Sequence, residues 1–453
     1  MANVQQIRAI IVQEALPQNQ DLHQVPDTFL DAAMHDGHPK ADTLFESARE
    51  HVGSALRSNA PIVMYAVAVA APALILYVVL TREVDLPVRR GNGTLASMGS
   101  VRGHGYIEFS SVYFGFFFFT IIVLSSINGQ PTTNWYSVVT LVFNVVNAAF
   151  HTVVYQCGLY YLLNQSAVTL GLSIIFIAVQ VPLNFGIAHI VLQKYAPDSL
   201  WWHMPLCALC VAMEAGNIVV IKNLTSYLHS DLFQWTAPFI FSFTAVFTRR
   251  AAEWSSVPPS AASKMSTVSM GLGVIFTRLA QSAEINDPGQ VVVLEVFYAV
   301  VSIFLKVSLY SRHAIFSVVL SGTCKVRGVP RSARAQGITT VSNVNESIFD
   351  MACFTILFLS RFLLLPSSIT TTSFALVFFG CIAIQILANT ATFVLVSYFE
   401  KISIEDFCVS TAFGDFWRRW IYLWVSTMWG LMYMNQITLN VWDSSMRIHV
   451  PWK

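Results

Sequence analysis

From residue 61 onward the chain is written as apolar runs separated by short polar breaks, each run close to the ~20 residues an α-helix needs to cross a bilayer. The runs fall at 61–80, 107–127, 136–163, 168–192, 205–221, 232–247, 266–283, 291–320, 348–365, 371–399 and 420–442. None alternates with a period of two, and a spanning segment must satisfy its own backbone hydrogen bonds, so helices rather than a barrel are indicated. The pattern predicts an all-α, polytopic integral membrane helix bundle with about 10–11 transmembrane helices. The run at 266–283 is the weakest of the set, being rich in Ser and Gly and carrying Arg278.

The flanks suggest an organisation. Residues 1–58 are polar and acidic and are expected to form a cytoplasmic tail. Within it Asp42 could cap a helix that shows Phe45, Ala48, Val52, Ala55 and Leu56 on one face and lies on the membrane surface. Residues 59–442 form the multi-pass transmembrane domain, and 443–453 a short C-terminal tail. Residues 321–346 are basic, contain Gly328, Pro330 and Gly337, and read as a flexible cytoplasmic loop. Arg249, Arg250 and Lys264 fall on the same side as Arg312, Lys325, Arg327, Arg331 and Arg334 if the two runs between these groups both cross, which puts the amino end in the cytoplasm. Arg82, Arg89, Arg90 and Arg102 oppose this orientation. The same topology leaves Asn92, in Asn92-Gly93-Thr94, on the outer side as a glycosylation acceptor.

Composition narrows the class further. The chain is 55% hydrophobic and 11% charged, far below the roughly 25% charged residues of a soluble domain. An integral protein of the plasma membrane or an endomembrane, with the lipid bilayer as its main partner, is the expectation. The net charge of +1 gives no reason to expect a nucleic-acid partner. Most of the seven cysteines sit inside apolar runs, so neither a disulfide framework nor a metal site is expected, Cys207-x-x-Cys210 included. Association with further copies of the chain is compatible with such a bundle.

Polar residues recur inside the runs at helical spacing. Asn144, Asn147, His151 and Tyr155 share one face of the third run, and Ser173, Gln180 and Asn184 share one face of the fourth. Glu214 and Asn217 mark the fifth, Glu295, Ser302, Lys306 and Tyr310 the eighth, and Gln385, Asn389 and Thr392 the tenth. A lipid-facing polar stripe is costly, so these faces are expected to converge on a polar intramembrane cavity or to bind neighbouring helices. Charges inside a span are dearer still and mark function by default. Glu214 and Lys306 are therefore expected to neutralise one another, or Lys306 to meet Glu295 through water, with Asp350 a third candidate.

Two short segments resemble known families. Asp415-Phe416-Trp417-Arg418-Arg419-Trp420 looks like the signature of the membrane-bound O-acyltransferases. That resemblance implies acyl transfer to a hydroxyl with a catalytic His. Here Ile421 stands where the family's motif continues into His, and His449 is the one histidine after it. The stretch from Phe297 to Lys306 is similar to the retinal-attaching helix of microbial rhodopsins, which implies a Schiff base on Lys306. Ser302 replaces the family's usual carboxylate, and residues 168–192 hold no Asp or Glu to act as the other counter-ion. No cofactor is expected.

Taken together the residues favour a transporter or channel that moves a small solute or ion, with Glu214, Lys306, Glu295, Asn144, Asn147, His151, Gln180, Asn184 and Asn389 lining its path. The balance leans away from an enzyme, and no residue is expected to be catalytic. An acyltransferase-like enzyme and a non-catalytic membrane scaffold or envelope protein are the competing classes.

Overall fold

The computed structural model describes residues 41–82, 98–126, 133–161, 255–321, 333–365, 369–400 and 416–449, together with scattered residues between 179 and 252. Among them every long element is a helix: α1 (Ala41–Arg82), α2 (Met98–Ser126), α3 (Thr133–Tyr161), α4 (Pro259–Ala283), α5 (Pro288–Ser321), α6 (Ala333–Leu364), α7 (Thr371–Glu400) and α8 (Phe416–His449). Four helical stretches are long and apolar enough to cross a membrane, Val52–Arg82, Phe109–Ser126, Thr340–Leu364 and Thr371–Val396. They coincide with four of the expected runs. Two shorter apolar helices, Val138–Phe150 and Pro288–Phe304, lie in two more.

Local chemistry sets several helix ends. Pro259 occupies the first turn of α4, where its missing N–H costs nothing. The turn from α4 into α5 is tight, and Asp287 accepts hydrogen bonds from the backbone N–H groups of Gly289 and Gln290, each at 3.1 Å. With Pro288 following, this is a side-chain cap on a proline-started helix. Thr370 caps α7 in the same way through the Ser373 N–H. The α4–α5 hairpin sets the last turns of α4 against the first turns of α5.

α4 lies at the centre of the bundle. It packs most extensively on α6 and also touches α2, α5 and α8. Its richness in small residues, which weakened it as a span in the sequence, is what lets its neighbours approach. A Cβ added at Gly271 would come within 3.1 Å of the Phe349 ring on α6. The main apolar core joins α1, α2, α4, α6 and α8. A smaller cluster joins Val291 of α5, Phe354 and Phe358 of α6, and Phe374, Val377 and Cys381 of α7.

Two boundaries differ from expectation. The helix expected to lie apart within residues 1–58 is continuous with the first span, since α1 runs unbroken for 42 residues across residue 58. The segment 321–346, expected to be loop, is helical from Ala333 onward. Ile338, Val341, Val344 and Ile348 recur every three or four residues and are buried, so a helix is the way to hide them. The polar residues between them are buried as well, Thr340, Ser342, Asn343 and Asn345 among them, and Gly337, one of the residues that suggested a loop, lies inside the helix.

Pro61 and Pro72 both lie inside α1. A helical N–H at position 72 would bond the carbonyl of Ala68, and proline has none to offer. The indole N–H of Trp420 on α8 donates to that carbonyl instead, at 2.8 Å. This contact is the described role of the segment that resembles the acyltransferase signature. Its Arg419 guanidinium lies over the Tyr65 ring of α1, and Trp417 is exposed.

Candidate functional site

Three of the ion pairs among the described residues are anchored along one face of α6. Asn343, Glu346, Ser347 and Asp350 recur at steps of three, one and three, which places them on one side of a helix. Glu346 and Asp350 are one turn apart, about 6 Å along the axis. Each is the anchor of a separate ionic group.

The first group is built on Arg278 of α4. Its Nε and Nη2 donate to the two carboxylate oxygens of Asp350, both at 2.6 Å, in the two-pronged geometry that suits a guanidinium. Its Nη1 donates to Glu295 Oε2 of α5 at 2.5 Å and to Gln281 Oε1 at 2.9 Å. The Gln281 amide in turn donates to Glu295 Oε2 at 2.7 Å and to the Val291 carbonyl at 3.2 Å. The hairpin turn makes this possible by bringing the end of α4 beside the start of α5. The rings of Phe354 and Tyr298 lie against the guanidinium, their centroids 5.5 and 5.9 Å away. Arg278 is 3% exposed and Glu295 1%, but Asp350 is 31% exposed, so the group is sealed at one end and open at the other.

The second group is looser. Glu346 faces Arg249 at 3.3 Å and Lys306 of α5 at 3.7 Å. Arg249 also donates to the Asn343 side-chain oxygen at 3.1 Å. One turn along α6 from Asn343, Ser347 donates to Asn389 of α7 at 2.9 Å. The two groups thus share α5 and α6, with α7 closing the second through Asn389.

Of the expected site residues, this arrangement brings Lys306, Glu295 and Asn389 to one seam. It does not pair Lys306 with Glu295. Glu295 is held by Arg278 and Lys306 by Glu346, because Glu295 and Lys306 are eleven positions apart on one helix, about 16 Å. Asn144 and Asn147 are buried on α3, which packs on α2, and the Asn144 amide donates to Thr120 at 3.1 Å. This face therefore joins two helices on another side of the bundle. His151 lies on α3 with its side chain outside the described residues. Glu214, Gln180, Asn184 and the proposed acceptor Asn92 also lie outside them. Among the described residues no group of three His, Cys, Asp or Glu could hold a metal ion.

Sequence reasoning missed Glu346, Asn343, Ser347 and Arg249, and set Arg278 aside. Starting the ninth span at residue 348 cut the polar face of α6 in two. Extending the three-to-four-residue spacing back through Asn343 would have exposed it.

Comparison with models of known protein families, with curated proteins and with solved structures finds no match to this chain. What the seam does has to be argued from its chemistry.

Proposed function

We propose that the protein is a transporter or channel that moves a small solute or ion through its polar interior. The observation that carries this reading is the double ionic seam on α6. Five charged side chains besides Asp350 meet inside a bundle of apolar helices, a concentration that costs far more in desolvation than neutral packing would. In the mechanism we favour, Glu346 is the moving part. It is shared between Arg249 and Lys306 at distances longer than those around Arg278, so protonation of Glu346 or arrival of a solute anion at Lys306 can replace one of its contacts. The Arg278 group, with four short contacts, serves as the fixed point against which α5 and α6 rearrange.

Proteoliposomes carrying a pH-sensitive and a voltage-sensitive dye test this directly. Imposed gradients of Na+, K+, Cl− and H+ should drive a signal absent from empty vesicles. Glu346→Gln and Lys306→Met should abolish it while the protein still elutes as a folded species. A flux that survives both changes removes this seam from the path.

The saturation of Arg278 supports a second reading, in which the seam only locks helices together in a membrane scaffold. That reading predicts no flux in wild-type vesicles and a loss of folded protein with every change at Glu346.

A further inference from the structure

The Arg278 group carries unbalanced charge. One guanidinium is set against two carboxylates, Glu295 and Asp350, which leaves the trio one negative charge in excess. Glu284, in the turn after α4, adds to the negative field at Tyr298. The thiols of Cys353 on α6 and Cys381 on α7 face the same group, and neither brings positive charge. Glu346, one turn along α6, faces two cations, Arg249 and Lys306, so the charges of the two groups balance, and what stays unsatisfied around Arg278 is buried oxygens.

These unused oxygens mark where a ligand would sit. Glu295 receives both of its donors on Oε2, while Oε1 is buried with no hydrogen-bond partner. The Tyr298 hydroxyl, one turn along α5, is buried and unpartnered too, and its ring rests on the Arg278 guanidinium. Gln385 of α7 is 5% exposed, and neither its side-chain oxygen nor its nitrogen has a partner. Its position follows from the helix register. Cys381 packs in one cluster with Val291 and Phe354, and Asn389 bonds Ser347. Gln385 lies midway between those two, on the same face of α7, at the level between the two ionic groups. A carboxylate oxygen, a phenol and an amide carbonyl are hard oxygen donors, the set that suits a small hard cation or a shared proton.

We infer that a monovalent cation, Na+ or a proton, binds against Glu295 Oε1 with the Tyr298 hydroxyl and the Gln385 side-chain oxygen as its other partners. This site stands whether or not the protein transports anything, because it is read by binding alone.

Thermal unfolding of the purified full-length protein in detergent, followed by tryptophan fluorescence, tests it. NaCl is compared with choline chloride at equal ionic strength, at pH 8 and at pH 5.5. If Na+ is the ligand, NaCl raises the unfolding temperature saturably at pH 8, and the rise disappears in Glu295→Gln. If the ligand is a proton, the two salts act alike and acidification stabilises wild type more than Glu295→Gln. Tyr298→Phe and Gln385→Leu alter only unpartnered atoms and cover the case in which Glu295→Gln does not fold. Each should weaken the Na+ response at least tenfold in half-saturating concentration, or shrink the response to acid. Identical behaviour of wild type and all three variants in both salts and at both pH values overturns the site. A response to MgCl2 without one to NaCl overturns the monovalent assignment.

Discussion

The α1–α2–α8 side of the bundle and the α4–α5–α6 side bury polar groups in opposite ways. Where α8 meets α1, the hydrogen bonds between described side chains are neutral, Trp420 to the Ala68 carbonyl and Asn435 to Thr81 at 3.0 Å, and the Arg419 guanidinium meets the Tyr65 ring rather than a carboxylate. Aromatic pairs fill the rest, Phe114 with Trp424 at 5.2 Å and Phe118 with Trp429 at 5.6 Å. Along α6 the contacts are ionic and shared among three helices. Losing one partner in the first region forfeits a hydrogen bond or some packing. Losing one partner in the second strands a charge in a dry interior. Tolerance to substitution should therefore differ between the two sides, even where burial is the same.

The sharpest test removes the cation at the centre of the ionic side. Arg278→Met leaves Glu295 and Asp350 facing each other without a counter-charge and should cost about 3–5 kcal/mol, enough to lose most folded protein in a size-exclusion assay. Neutralising all three, with Arg278→Met, Glu295→Leu and Asp350→Leu together, should restore folding. Failure of the triple variant would mean that shape rather than charge dominates there. On the neutral side, Gly115→Val brings a side chain to a position where even a Cβ lies 3.1 Å from Trp429 Nε1, and about 1–3 kcal/mol of overpacking is expected in thermal unfolding. Trp420→Phe leaves a smaller aromatic ring and removes the donor to the carbonyl freed by Pro72. A loss of about 1–2 kcal/mol is expected from the hydrogen bond, and replacing Pro72 by Ala in the same chain should recover that part by restoring the helical N–H.

The smallest effect is set by pH. His203, between the expected spans, is fully buried beside Ser126, and burial pushes its imidazole from 6.5 down to about 4. The unfolded chain binds a proton below pH 6.5 that the folded chain refuses, so the stability this residue contributes is whole above 6.5 and declines as pH falls toward 4. Between pH 7.5 and 6 the decline should be about 1 kcal/mol. His203→Gln should flatten that part of the profile.

Much of this architecture is legible in the residues, and the exceptions have physical causes. The runs at 61–80, 107–127, 348–365 and 371–399 are apolar enough to announce themselves, and helices long enough to span lie there. Continuity of α1 across residue 58 was hidden because hydropathy changes at that point while helix propensity does not. The centrality of α4 was hidden because a helix surrounded by protein needs small residues rather than oily ones. Lys306 and Glu295 could be singled out as buried charges from their own helix alone. Asp350 could be named as a third candidate, but the partners Arg278 and Glu346 could not, since they reach Glu295 and Lys306 only through the α4–α5 turn and the packing of α6, which no spacing along one helix encodes.

The bond between Trp420 and Ala68 spans 352 positions of sequence, and that between Asn435 and Thr81 spans 354. At a ribosomal pace of roughly 5–20 residues per second, the first helix leaves the translation machinery some 20–70 s ahead of its closing partner. For that interval the proline gap in α1 faces lipid or an insertion factor with its carbonyl open. Biogenesis of this seam is thus tied to the arrival of α8, and nascent chains halted ahead of residue 416 should be the species that quality control finds.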